Sequence, residues 1–189
     1  MTTIYFVRHC KPDGTNKDDR NRPLTAEGEA DSFKVCDILK DKKIDLFISS
    51  PYKRSFDTIK PAADFYGKQI ETDERLRERQ AGENSFDTFR KRWSDFDFAE
   101  EGGECLNSVQ KRNIAALFDI LDKYDGKTIA LGTHGTALSS IMNYFDKNFA
   151  ADQFLRIANF MPYIVKMDFD SKKLVCKEDI FYLDKEYSD

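Results

Sequence analysis

Apolar residues arrive in short blocks between charged stretches, and the blocks alternate between two spacings. IYFV (4–7) is a continuous apolar run closed by Arg8, which predicts a buried strand. From PLT (23–25) the spacing changes. Ala26, Ala30, Phe33, Cys36 and Leu39 recur at helical intervals behind Thr25, a residue type favoured at N-caps. IDLFISS (44–50) predicts a second strand, and Ser50 with Pro51 predicts the cap and first position of a helix running to about residue 66. GGECLNSVQKRNIAALFDILDKY (102–124) contains a long amphipathic helix. KTIALGTHG (127–135) predicts a third strand that ends at His134, and TALSSIMNYF (136–145) opens another helix. NFMPYIVKMDFD (159–170) and KLVCKEDIFYL (173–183) predict two late strands. Pro162 assigns the first of them to a sheet edge or places the proline at a strand entry.

This alternation predicts a three-layer α/β/α sandwich with a largely parallel sheet. A length of 189 residues suits one domain spanning 1–189, with 80–105 as a small cover segment. In such sheets ligands sit beyond the carboxyl ends of the strands. Arg8 and His9 follow the first strand, 49–54 follows the second and His134 follows the third, so all three are expected on one rim.

Net charge is −4, and the basic residues cluster only locally, in RNR (20–22) and RLRER (75–79). That argues against a nucleic-acid partner. No run approaches the length of a membrane span and no signal peptide is evident, so neither a membrane partner nor export is expected. The cysteines at 10, 36, 105 and 176 form no CxxC pair. Reduced thiols in the cytoplasm are the expectation, with no metal and no cofactor. Nothing assigns an oligomeric state.

The string VRHC (7–10) raises two chemistries. A cysteine-based phosphatase needs an Arg six positions after its thiol; that position is Asn16, and Pro12 removes an amide donor from the loop. Cys10 is therefore read as a small packing residue. Histidine chemistry fits better. Imidazole is a nucleophile near neutral pH without a metal, and Arg offers a planar fork for phosphate oxygens. Arg54 falls in the first turn of a helix, where backbone amides also favour an anion.

VRHC (7–10), PLTAEG (23–28), SSPYKRSFDT (49–58), LRERQAG (76–82), GGECLNSVQKR (102–112) and THGTAL (133–138) resemble, in order, the landmarks of the histidine phosphatase superfamily, the phosphoglycerate mutase-like group. The resemblance runs from residue 4 to about residue 160. It implies that His9 is the nucleophile, that Arg8 and Arg54 bind the phosphoryl group, and that His134 donates a hydrogen bond to it. It implies that Glu78 is the proton donor and later the base for water. Glu78 has a structural alternative as a surface charge paired with Arg75 or Arg79, and Glu74 and Glu83 are rival acids. Arg112 is expected to pair within the fold, and Glu104 fits either a supporting role or a helix-terminus charge. The chain departs from the family at Cys10, where Gly or Ala is usual, and in the loop 11–22. The family often has Asn six residues after its His; here that position is Thr15, followed by Asn16, and either is a candidate phosphate donor.

The implied function is a histidine acid phosphatase-type phosphomonoesterase. It is metal-independent and passes through phosphohistidine on a small phosphorylated substrate. Alternatives are mutase-type phosphoryl transfer, protein phosphohistidine hydrolysis (suggested by DRNRPLT, 19–25) and a non-catalytic phosphate-binding or interaction module. Phe86, Phe89, Trp93, Phe96 and Phe98 form either an aromatic wall for substrate or plain core.

Overall fold

The computed structural model describes residues 1–83 and 85–185. Thr2–Arg8 form the first strand, β1. Its side chains alternate between two hydrophobic clusters, Ile4 and Phe6 in one and Tyr5 and Val7 in the other. A strand buried on both faces needs helices on both, and the rest of the chain supplies them. In order follow α1 (Ala26–Leu39), β2 (Leu46–Ser49), α2 (Lys53–Phe65), β3 (Ile70–Thr72), α3 (Phe86–Ser94), α4 (Leu106–Lys123), β4 (Thr128–Thr133), α5 (Gly135–Phe145), α6 (Ala151–Ile157), β5 (Phe160–Asp170) and β6 (Lys173–Asp184). A single 3₁₀ turn, Glu74–Leu76, follows β3. Val35 and Leu39 of α1 join Ile59 and Ala62 of α2 on one face of the sheet. Ile114 and Leu117 of α4 join Leu138 and Ile141 of α5 on the other. The expected three layers are present.

The sheet order is β3-β2-β4-β1-β5-β6. The pairings among β1 to β4 are parallel, and those of β5 with β1 and β6 are antiparallel. The register sets Arg8 opposite Thr133 and Ser49 opposite Gly132. Three strands therefore end side by side, and the residues after them meet on one rim.

Several local expectations need correction. Thr25 caps α1 by accepting from the Gly28 amide at 3.0 Å. The buried face of α1, however, is Gly28, Asp31, Ser32, Val35 and Leu39, whereas Phe33 is 64% exposed. Asp31 is drawn in by ion pairs to Lys34 and Lys185. Gly28 faces Lys11 so closely that a methyl group would fall 2.3 Å from its carbonyl oxygen. The polar anchors and the close approach set the helix rotation, not the aromatic side chain. Helix α2 starts after the expected cap; its N-cap is Tyr52, with no side-chain bond. Strand β3 was not expected at all. β5 lies inside the sheet, so Pro162 marks a strand entry rather than an edge. It falls in the irregular step between Phe160 and Tyr163. Among the described residues, no helix is long and apolar enough to cross a membrane.

Candidate active site

His9 follows β1, and its amide donates to the Thr133 carbonyl at 3.1 Å, which ties the two strand ends together. Its ring Nδ1 lies 2.8 Å from the Cys10 carbonyl oxygen. A carbonyl only accepts, so Nδ1 carries the proton and Nε2 keeps its lone pair. Arg54, in the first turn of α2, donates from Nε to that Nε2 at 3.3 Å. Burial, then the charges of Arg54 and Arg8, hold the His9 ring well below the usual imidazole range. A neutral imidazole with a defined lone pair results.

His134 caps α5 and is fully buried. Its ring meets that of His9 edge-on, with centroids 5.3 Å apart. Tyr52 also packs edge-on against His134, with centroids 5.3 Å apart. Burial, then Arg54 and His9, keep His134 neutral as well. Arg8 donates to the Ile157 carbonyl at 2.8 Å, and its guanidinium lies across Gly135. A methyl group at Gly135 would sit 3.2 Å from the Arg8 Cζ, so alanine there would push the guanidinium by a few tenths of an ångström. The outer edge of Arg54 is held by Asp19, through an ion pair at 3.2 Å and a bond from Nη1 to its carbonyl. Asp19 was not singled out in the sequence; its only signal was the charged run DDRNR (18–22).

Glu78 reaches the same rim. Its carboxylate accepts from the Thr136 and Ala137 amides at 3.0 and 3.1 Å, at the start of α5, and from the Arg79 amide at 2.8 Å. The first amides of a helix have no partner within it, and Glu78 supplies one for two of them. Glu78 is therefore not paired with Arg75 or Arg79 as a surface charge. Its loop is held from behind: Arg112 donates to the carbonyls of Arg75, Arg77 and Glu78, and pairs with Glu104 at 2.8 Å. Glu104 also binds Arg77 at 2.9 Å. Burial raises the Glu104 carboxyl, but Arg112 and Arg77 outweigh it and hold it at about 2. The rival Glu74 points outward to Arg20, and Glu83 is exposed.

Beside this cluster lies a cavity of about 420 Å³, lined by Arg8, Glu78, Arg79, Arg92, Trp93 and Phe154 among others. Phe89, Trp93 and Phe154 pack ring against ring along it, at 5.4 to 6.5 Å. Phe86 is 59% exposed and Phe98 is covered by Lys91. The aromatics thus divide between wall and surface. Arg79 and Arg92 share one buried carboxylate, Glu100, at 2.8 and 3.0 Å.

Thr15 and Asn16 sit in the loop that also carries Asp19, the partner of Arg54. Thr15 donates to Asp13, and Asn16 accepts from the Asp18 amide and from Arg22 through its own carbonyl. Their bonds shape the loop 13–22. Cys10 is buried in the α1/α2 cluster, and burial pushes its thiol up to about 12. It stays protonated, which removes it as a nucleophile. Among the described residues no group of three or more His, Cys, Asp or Glu is arranged to hold a metal.

The two neutral rings give a stability prediction. An unfolded chain takes up protons on both histidines near pH 6.5, whereas the folded chain takes them up only well below it. Stability is therefore complete above that pH and falls as pH drops below it. Between about pH 6.5 and 4.5, above the carboxylate range, the slope is expected to reach up to about 2.7 kcal/mol per pH unit for the two rings together. Urea midpoints measured across this interval check it; a flat profile would show that the folded rings accept protons freely.

The family model of the histidine phosphatase superfamily (branch 1) matches residues 4–179. Phosphoglycerate mutase-like protein 4 of Arabidopsis thaliana is 31% identical over 134 residues. That stretch is 62% of this chain and 58% of the relative, so the chain spans less than two thirds of the relative's length. Among solved structures, Bacillus stearothermophilus YhfR superimposes with a TM-score of 0.75 at 24% identity, covering 93% of this chain and 95% of that one. Phosphoserine phosphatase from Entamoeba histolytica, solved with 3-phosphoglyceric acid, superimposes with a TM-score of 0.76 at 20% identity, covering 98% of each chain. These structures share the fold described above. With the family model spanning nearly all of the sheet and every rim residue named here, the chain belongs to the histidine phosphatase superfamily.

Proposed function

We propose that the protein hydrolyses small phosphate monoesters without a metal ion, through a phosphohistidine at His9. The observation that carries this reading is the fixed lone pair of His9 Nε2, set by the Nδ1 bond to Cys10 and faced by Arg54. In the first step Nε2 attacks phosphorus and the ester oxygen leaves with a proton from Glu78. Arg8, Arg54 and His134 hold the three remaining phosphoryl oxygens as charge develops. In the second step Glu78 takes a proton from water, water attacks the phosphohistidine, and His9 returns to its starting form. A neutral imidazole needs no metal to become nucleophilic.

Glu78 lines the cavity, which favours an ester over a phosphoramidate, whose leaving group needs less help from an acid. The cavity volume fits a small metabolite, and Arg79 and Arg92 among its lining residues favour one with a second anionic group. The names of the Arabidopsis and Entamoeba proteins point to the same size of substrate. Transfer back to an intermediate needs a more extensive cover than the short segment bearing α3, so hydrolysis is the favoured outcome.

Incubation with p-nitrophenyl phosphate and a panel of phosphorylated metabolites, with EDTA present, tests this. Turnover that survives chelation supports it. Binding of inorganic phosphate with no turnover of any ester would favour a binding module instead. Glu78→Gln is expected to lower kcat by roughly 10²- to 10⁴-fold while inhibition by inorganic phosphate changes far less. Unchanged kcat would assign proton transfer to another group.

A further inference from the structure

We infer that Ser50 is a positioning residue whose hydroxyl sets the proton of His134 on Nδ1, the ring nitrogen that then donates to the phosphoryl group. This rests on the reading of His134 as a phosphoryl donor. The sequence suggested only a helix cap for Ser50. In the fold Ser50 and His134 are both fully buried, and Ser50 Oγ lies 2.7 Å from His134 Nε2.

Counting the groups left unpaired decides the direction of that bond. The Tyr52 amide donates to Ser50 Oγ at 3.2 Å, which uses one lone pair. These are the only two partners of Oγ among the described residues. If Nε2 carried the proton, Oγ would accept twice, and both its own hydrogen and the Nδ1 lone pair would be buried without a partner among the described residues. If Oγ donates to Nε2, every group on Ser50 is satisfied. A neutral ring then carries its proton on Nδ1. That nitrogen is buried and has no hydrogen-bond partner among the described residues. A buried N–H with no acceptor is suited to an incoming anion; a bare lone pair there would repel one. The two imidazoles thus share one tautomer but serve opposite ends of it: His9 offers the Nε2 lone pair, His134 the Nδ1 hydrogen.

The chain has only two histidines, so the test is direct. Long-range proton–nitrogen spectra of isotope-labelled histidine are recorded without substrate near pH 7.5, with His134→Asn used for assignment. The wild-type His134 ring is expected to show a protonated Nδ1 and a lone-pair Nε2. Ser50→Ala is expected to shift this ring toward the other tautomer while His9 is unchanged, and Ser50→Thr to restore it. In turnover, Ser50→Ala is expected to lose kcat by roughly 10²-fold with little change in KM, the size of one lost oxyanion donor, and Ser50→Thr to recover it. A wild-type His134 protonated on Nε2, or a Ser50→Ala ring that keeps its tautomer, overturns the inference. If Ser50→Ala misfolds, its His9 signals report it, and the wild-type tautomer decides alone. A correct tautomer in a protein without turnover would count against the phosphatase reading and leave the role of Ser50 standing.

Discussion

His9→Ala is expected to abolish turnover, by at least about 10⁴-fold, and to remove all phosphoryl labelling of the protein. The label in the wild type is expected to be acid-labile and base-stable, as phosphohistidine is. The size of the effect follows from the site. His9 Nε2 is the lone pair faced by Arg54, and the other imidazole is fully buried with Nε2 committed to Ser50. No neighbour can take over the attack. Binding of inorganic phosphate should survive, because Arg8, Arg54 and His134 remain. Quenched reactions with radiolabelled substrate, compared in acid and base, provide the measurement. A label kept in His9→Ala but lost in Cys10→Ser would move the chemistry to the thiol, against the burial that keeps Cys10 protonated.

Glu100→Gln is expected to destabilise the fold by about 3–5 kcal/mol, because it removes the carboxylate that two buried guanidinium groups share. Arg79, Arg92 and Glu100 have side chains only 4 to 6% exposed. Burial raises the Glu100 carboxyl, but its own amide, Arg79 and the Gly82 amide outweigh that and hold it at about 2. Its contribution is thus complete above the ordinary carboxylate range and is lost as pH falls toward 2. Urea unfolding at pH 7.5 reads the difference. A loss below about 1 kcal/mol would mean that water reaches and satisfies both arginines. The triad also joins the segment bearing α3 to the loop that carries Glu78, so the folded fraction of the variant is expected to bind substrate more weakly.

Much of the site was legible because it depends on strand ends. A buried parallel strand must finish at the rim, so Arg8, His9 and His134 were placed by their position after apolar runs alone. Glu78 was legible only through its motif. Nothing in RLRER tells a solvated charge from a carboxylate docked on a helix that begins more than fifty residues later. Phe33 was misplaced for a similar reason. Its helical spacing is inward, but α1 is turned by Asp31, whose partner Lys185 lies at the far end of the chain. The cap assigned to Ser50 was reasonable locally; the competing partner, His134, is 84 positions away.

Alternating apolar periods determined the layers and the rim on which chemistry is built. Those follow from local burial, which each segment carries in its own residues. The tertiary structure alone decided which polar groups face each other: Asp19 on Arg54, Ser50 on His134, Glu100 between Arg79 and Arg92. Hydrogen bonds and ion pairs act over a few ångströms in space and have no period along the chain, so no spacing of residues announces them.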